Sequence, residues 1–178
     1  MGALHKNNEL AANDGMITNE PEVCLFAMGA DCVPLLFFDP ENKVIGAAHA
    51  GWRGTINNMA GSMVEKMKTT FGSNPANIHV GIGPSIGPCC YEVGPEVVDA
   101  VVQNFTTVNG FISNGANEGK PILDLWYTNQ HLLKAAGVKE KHIEISSLCT
   151  CCNQHHFFSS RGGQGITGRF GAGIMLHY

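Results

Sequence analysis

The sequence predicts an α/β (α+β) fold in which covering helices pack against a mixed β-sheet. Short apolar segments rich in Val, Ile and Phe alternate with segments whose apolar residues recur at helical spacing. This alternation is not a clean strand–helix repeat, which favours a mixed sheet over a parallel one. A length of 178 residues with 44% hydrophobic and 15% charged residues suits one compact domain, so we expect a single domain over 1–178.

The predicted strands are short apolar runs bounded by turn residues. Residues 23–39 form two such runs broken at Gly29–Asp31, and Phe37 and Phe38 favour a strand in the second run. A turn over Asp39–Asn42 leads into a strand at 43–51. Three further strands are predicted at 77–87, where the strand runs into a glycine–proline loop, at 142–150 and at 168–178.

Three helices are predicted from their caps and their apolar spacing. Thr55 is placed to cap a helix that runs to about Phe71. The apolar residues at helical spacing in it are Ile56, Met59, Met63, Val64 and Met67. A second helix covers 94–105 with Pro95 in its first turn. A third begins near Asp124, its predicted N-cap, and ends at Gly137, with Leu125, Leu132 and Leu133 facing inward.

Composition and charge exclude several classes of function. A net charge of -4 provides no basic surface for nucleic acid, so no nucleic-acid partner is expected. No apolar run approaches the roughly 20 residues that a bilayer span needs, so no membrane partner is expected. The first residues lack the pattern of a secretory signal, and seven cysteines are an odd number. Together these features favour reduced thiols and a cytoplasmic protein.

Cys32 and His49 each lie at a glycine-bearing turn beside an apolar strand. If the two strands are neighbours, both side chains emerge at one end of the sheet. A thiolate and a neutral imidazole are good zinc ligands, and they are equally a nucleophile and its base. A buried cysteine and a hydrogen-bonded histidine at a strand end would give the same pattern, so the spacing leaves these alternatives open.

Arg53 follows His49 closely, at the entry to the first predicted helix. Helix N-termini attract anions, and a guanidinium group there would strengthen an anion site. Arg161, beside Ser159 and Ser160, is a second candidate for phosphate binding. For both arginines an ordinary capping or surface role remains an alternative.

Two cysteine-rich segments do not match known site patterns. Residues 81–94 contain several glycines but not the dinucleotide-binding fingerprint, and we interpret Cys89 and Cys90 there as packing residues. Residues 149–161 combine Cys149, Cys151 and Cys152 with two histidines, but this spacing matches no common zinc module.

Five segments together resemble the YfiH-like or laccase-domain family, also described as multicopper polyphenol oxidases or DUF152. They are "ADCVPLLFFDP", "AHAGWRGT", "GIGPSIGPCCYEVG", "LDLWYTNQHLL" and "CT…FFSSR…GITGRF". The resemblance implies a zinc-binding domain with a mixed, sandwich-like β-sheet fold similar to cytotoxic necrotizing factor deamidases. It also implies a purine nucleoside phosphorylase that acts on adenosine, inosine and methylthioadenosine and deaminates adenosine. Some members are linked to editing of peptidoglycan precursors.

The resemblance also implies the metal ligands, which in the family are two histidines and a cysteine. The family's cysteine corresponds to Cys32 and one of its histidines to His49. The other histidine belongs to a segment that would precede Met1, so we expect the chain to be N-terminally truncated relative to the family. The candidates for a replacement third ligand are His5, His155 and His156.

The resulting hypothesis is a zinc site at Cys32 and His49 whose water attacks C6 of adenosine. Arg53 and Arg161 would hold phosphate for cleavage of the glycosidic bond, and Ser85 would add a hydroxyl contact. Cys32, His49 and Arg53 are thus the predicted catalytic residues, and purine nucleosides and phosphate the predicted partners.

Three alternatives remain. Cys32 and His49 could form the nucleophile and base of an amidase, deamidase or peptidoglycan-editing hydrolase. The domain could instead bind a nucleoside without turnover. Copper-dependent polyphenol oxidation needs several coppers and many histidines, and this chain has eight histidines and no His-x-His motif. Copper could nevertheless occupy a Cys/His site.

Overall fold

Nine strands and four helices lie within residues 13–115 and 119–177, the part of the chain that the computed structural model describes. The strands are β1 (Gly15–Thr18), β2 (Cys24–Gly29), β3 (Val33–Asp39), β4 (Val44–Ala50), β5 (His79–Ile82), β6 (Ile112–Asn114), β7 (Pro121–Leu123), β8 (Ile143–Ile145) and β9 (Phe170–Met175). The helices are α1 (Trp52–Ile56), α2 (Met59–Phe71), α3 (Pro95–Asn104) and α4 (Leu125–Ala135). None of these helices has the length and apolar character needed to cross a membrane.

A five-stranded mixed sheet is the centre of the fold. Its strand order is β1-β4-β3-β5-β8, antiparallel throughout except for the parallel pair β5 and β8. Two smaller antiparallel sheets pair β2 with β9 and β6 with β7. The predicted mixed sheet with covering helices is therefore confirmed.

The central sheet is covered on both faces, which gives the fold its sandwich character. On one face Val44, Ala48 and Ala50 of β4 join the main core, to which α2 and α4 contribute residues such as Val64 and Leu133. On the opposite face Ile45 and Ala47 contact Leu25 and Ala27 of the β2–β9 pair. Because successive side chains of a strand point to opposite faces and both faces are covered, β4 is apolar from Val44 to Ala48 and again at Ala50.

The first predicted helix is two helices, and Thr55 is not its cap. Thr55 lies inside the short helix α1 and is fully buried. Asn58 caps α2 instead, with its side chain accepting a hydrogen bond from the Gly61 amide at 3.1 Å. Asn58 has a φ of 59°, a left-handed conformation that asparagine tolerates better than most residues. The chain can therefore turn between the two helices.

The other helix signals are confirmed, whereas the strand limits differ from the prediction. Pro95 starts α3, and the Asp124 carboxylate accepts a hydrogen bond from the Tyr127 amide at the start of α4. The strand expected over 142–150 is limited to Ile143–Ile145, and its continuation forms a loop against residues 83–87. Strands β1, β6 and β7 were not predicted, because each has only three or four residues, too few to show an alternating pattern.

Candidate active site

Cys32 and His49 meet at one end of the central sheet, as the strand pattern predicts. Cys32 immediately precedes β3, and His49 is next to the last residue of β4, opposite Pro34 in the antiparallel register. Both side chains line a cavity of about 240 Å³ and also a wider groove of about 850 Å³. The pair therefore borders two separate spaces.

Gly51 allows the chain to pass close to the Cys32 thiol. A Cβ atom at position 51 would lie 3.0 Å from the Cys32 Sγ, closer than carbon and sulfur normally approach. A larger residue at position 51 would make the thiol move by a few tenths of an ångström, so glycine leaves the Cys32 side chain in its observed place.

The electrostatic surroundings keep Cys32 protonated in the metal-free protein. Burial of the side chain raises the pKa of the thiol, and the nearby carboxylates of Asp31 and Asp14 raise it further, against a smaller opposing effect of Arg169. Reactive cysteine nucleophiles have lowered pKa values, so these surroundings do not favour a free thiolate. A bound metal cation would reverse this balance.

Asp14 places a carboxylate beside His49. Its Oδ1 lies 3.6 Å from the His49 Nδ1, and its backbone carbonyl accepts a hydrogen bond from the His49 amide at 2.7 Å. The contact follows from the pairing of β1 with β4. Sequence reasoning missed Asp14 because β1 was not predicted.

Asp31 ties the start of β3 to the distant loop that carries Arg161. Its side chain is buried and accepts hydrogen bonds from the Thr150 hydroxyl at 2.7 Å and from the Arg161 amide at 2.6 Å. Its backbone has a φ of 85°, which few residues other than glycine, asparagine and aspartate adopt. Asp31 is a positioning residue that sequence reasoning missed, although it stands in the "ADC" motif.

The cavity has an apolar wall and a cationic rim. Ile86, Leu125 and Tyr91 supply the wall together with Trp52. The exposed guanidinium group of Arg53 lies 4.2 Å from the centroid of the Trp52 ring and lines the same cavity. An aromatic wall beside a cation suits a ligand that combines a flat ring with an anion.

Tyr91 adds a neutral hydroxyl donor to this wall. Burial raises the pKa of Tyr91 to about 12; Cys32 raises it further, and the guanidinium group of Arg161 opposes the rise. The phenol is therefore protonated at neutral pH and can donate a hydrogen bond into the cavity.

Arg161 lies across the Tyr91 ring and is held by backbone oxygens. Its guanidinium donates to the carbonyl oxygens of Cys90 at 3.0 Å and Glu92 at 2.9 Å. Arg161 and Cys32 together line a third cavity next to the first. A guanidinium has five N–H donors, so this one retains donors for an anion.

Ser85, a predicted phosphate contact, is buried and hydrogen-bonded inside the protein. It is fully buried, and its hydroxyl accepts a hydrogen bond from the Trp126 indole at 2.6 Å while donating to the Gly83 carbonyl at 3.3 Å. Because both roles of the hydroxyl are taken inside the protein, Ser85 positions Trp126 and does not reach the cavities. The contact of Ser85 with phosphate stays a prediction.

The candidate third ligands are not brought to Cys32 in the described residues. His155 and His156 are exposed, their rings lie 4.1 Å apart, and neither lines the cavities around Cys32. His5 lies outside the described residues.

A thiol, an imidazole and the Arg53 guanidinium line one cavity, and Arg161 lines a neighbouring cavity that shares Cys32, so this end of the sheet offers donors for a metal and for an anion. A family model described as "Multi-copper polyphenol oxidoreductase laccase" matches residues 2–177. The chain therefore belongs to this laccase family, as its motifs predicted.

Named relatives agree with this assignment. The chain is 43% identical over 156 residues to the purine nucleoside phosphorylase YlmD of Geobacillus stearothermophilus, covering 88% of this chain and 57% of the relative. It is 35% identical over 148 residues to the adenosine deaminase RL5 of an unknown prokaryotic organism, covering 83% and 56% of the two chains. The crystal structure of the YfiH protein of Bacillus licheniformis matches with a TM-score of 0.88 at 42% identity, over 93% of this chain and 62% of that one. The chain thus spans less than two thirds of the length of these relatives.

Proposed function

We propose that this chain carries the active site of a purine nucleoside phosphorylase that binds zinc through Cys32 and His49. The observation that supports the proposal most directly is the meeting of Cys32, His49 and Arg53 at one cavity, in a chain whose relatives are named for this activity. Thiol and imidazole are donors that zinc prefers, and both face the same space. When bound, zinc would supply Lewis acidity at this end of the sheet.

The walls of the cavity suit a nucleoside. Trp52, Ile86 and Leu125 offer apolar surface for a purine ring, and the Tyr91 hydroxyl is available to donate to a ring nitrogen. The volume of about 240 Å³ is near the lower limit of ordinary ligand sites, and the adjoining groove extends it.

Arg53 and Arg161 would bind phosphate from two sides. In phosphorolysis a phosphate oxygen forms a bond to C1′ of the ribose while the bond from C1′ to the purine nitrogen breaks. The electron pair of that bond leaves with the purine, which takes up a proton. The guanidinium groups would hold the phosphate dianion and direct its oxygen toward C1′.

Adenosine deamination is a second proposed reaction, supported by the relative named adenosine deaminase. In this reaction water adds at C6 and ammonia leaves, so the reaction needs no phosphate. The raised pKa of Cys32 makes a metal-free thiolate mechanism at the same site less favourable.

The test is an assay of adenosine and inosine with and without phosphate, alongside a measurement of bound zinc. We expect ribose 1-phosphate and free base from the wild type with phosphate. In His49→Ala we expect loss of product and loss of one equivalent of zinc relative to the wild type. His79→Ala is the matched control, because His79 lies opposite Phe38, at the far end of β3 from Cys32, and should keep both. Full turnover by His49→Ala would refute the proposed site.

Arg53→Ala and Arg53→Lys separate phosphate binding from the rest of the site. We expect Arg53→Ala to raise the KM for phosphate at least tenfold and Arg53→Lys to recover part of the loss, because lysine retains the charge without the planar fork. An unchanged KM in Arg53→Ala would remove Arg53 from the proposal.

A further inference from the structure

Four cysteine sulfurs lie together where two loops cross. Cys89 and Cys90 belong to the loop after β5, and Cys149 and Cys152 belong to the loop after β8. The Cys152 Sγ lies 3.5 Å from that of Cys89 and 3.4 Å from that of Cys90. All four sulfurs lie within 4.8 Å of one another.

The backbone holds the two loops in this arrangement. Ser85 pairs with Cys149 in a parallel bridge, the Ser85 amide donates to the Leu148 carbonyl at 3.2 Å, and the Thr150 amide donates to the Ser85 carbonyl at 3.0 Å. The sulfurs are therefore brought together by the fold and do not depend on mobile side chains meeting by chance.

The spacing of the sulfurs matches a tetrahedral metal site. Zinc–sulfur bonds of about 2.3 Å place the four sulfurs of a tetrahedral zinc site about 3.8 Å apart. The observed sulfur distances of 3.4 and 3.5 Å, within a cluster no wider than 4.8 Å, bracket that value. Only small rotations of the side chains would be needed to admit an ion.

Backbone amides around Cys149 suit a thiolate at that position. The Gly87 amide donates to the Cys149 Sγ at 3.2 Å, and the Cys152 amide also faces that sulfur. Amide donors of this kind stabilise the negative sulfur of a metal ligand. Arg161 lies on the same loop as Cys149 and Cys152, and its guanidinium donates a hydrogen bond to the Cys90 carbonyl. Its positive charge would offset part of the negative charge of the thiolates.

The pattern was missed in sequence because its two halves are far apart. Cys149 and Cys152 have the C-x₂-C spacing of a zinc half-site, and the second half is the adjacent pair Cys89 and Cys90 rather than a later motif. Cys89 is exposed, so its interpretation as a packing residue is wrong.

We propose that Cys89, Cys90, Cys149 and Cys152 bind one zinc ion as four thiolates, forming a structural site separate from Cys32 and His49. Binding releases the thiol protons to solvent and forms four zinc–sulfur bonds. Four protein ligands leave no open position for water or substrate, so the site is structural. It fastens the loop of Tyr91 to the loop that leads to Arg161, and it does not depend on the proposed nucleoside activity.

The test begins with a background in which the first site is removed. In the double variant Cys32→Ser/His49→Ala, purified under reducing conditions, we expect about one zinc per chain by mass spectrometry of metals. Adding Cys152→Ser should abolish this zinc, whereas adding Cys24→Ser should not, because Cys24 is an exposed thiol on β2, outside the cluster.

Spectroscopy identifies the ligands even if a cysteine variant fails to fold. X-ray absorption of the zinc-loaded double variant should give a sulfur-only shell at about 2.3 Å. Replacing zinc with Co²⁺ should give thiolate-to-cobalt charge-transfer bands and strong visible bands of tetrahedral cobalt. A double variant that binds neither metal, or whose intact mass shows disulfides among these cysteines, would overturn the proposal.

Discussion

Removing the Asp31 carboxylate should destabilise the fold more than any ordinary surface substitution. Asp31 is buried and accepts two short hydrogen bonds, from the Thr150 hydroxyl and the Arg161 amide. Hydrogen bonds to a charged group each contribute about 1.5 to 3 kcal/mol, and Asp31→Ala leaves both donors without this partner. We therefore expect Asp31→Ala to lower the free energy of unfolding by at least about 3 kcal/mol.

Asp31→Asn and Asp31→Gly separate the two contributions to this loss. Asparagine retains one acceptor and tolerates a φ of 85°, so Asp31→Asn should cost only about 1 to 2 kcal/mol. Glycine removes the backbone strain but also both hydrogen bonds, so Asp31→Gly should lie between the asparagine and alanine variants.

Thermal unfolding provides the measurement. For a chain of this length each kcal/mol lowers the Tm by about 2 to 4 °C, so Asp31→Ala should lower the Tm by about 6 to 12 °C. Asp99→Ala, an exposed carboxylate on α3, is the control and should change the Tm by less than about 2 °C. If Asp31→Ala unfolds within 2 °C of the wild type, the assigned role of the carboxylate is wrong.

Three other outcomes follow from contacts described above. In metal-free protein, iodoacetamide should alkylate Cys32 slowly at pH 7 and faster only above the ordinary thiol pKa of 9.0, because burial raises the pKa of Cys32. Peptide mass spectrometry measures the labelling, and rapid labelling of Cys32 at pH 7 would contradict this expectation. Asn58→Ala should lower the free energy of unfolding by about 1 to 2 kcal/mol, and Asn58→Gly by less, since glycine accepts the left-handed backbone at this position. Equal losses for the two variants in urea titrations would show that the left-handed backbone does not matter for stability. Trp126→Phe should cost about 1 kcal/mol or more, because the Ser85 hydroxyl loses its indole donor, and Ser85→Ala should then cost less in this variant than in the wild type. Additive losses in a double-mutant cycle would show that the two side chains are not coupled.

The parts of the fold that local signals determine were predicted from the sequence. Pro95 and Asp124 mark helix starts because their conformational preferences act within one helical turn. Cys32 and His49 lie close together because the start of one strand lies beside the end of its antiparallel neighbour. The break at Asn58 was missed because apolar spacing continues across it.

The rest of the site depends on partners far along the chain. Asp31 acquires its role from Thr150, which is 119 residues away, and the Ser85 hydroxyl accepts a hydrogen bond from Trp126 of α4, which is 41 residues away. The four-cysteine cluster likewise combines two segments about sixty residues apart. No window of sequence short enough to show a periodic pattern contains both members of these pairs.

Strand β2 can pair with β9 only late in the synthesis of the protein. Cys24 at the start of β2 lies opposite Met175, so β2 lacks this neighbour until nearly the whole described chain has left the ribosome. Until then its edge and the apolar side chains Leu25 and Ala27 are available to other nascent chains. Formation of the β2–β9 pair is therefore a late step, in which the second face of the central sheet becomes covered, and a chain cut short before β9 would leave the edge of β2 exposed.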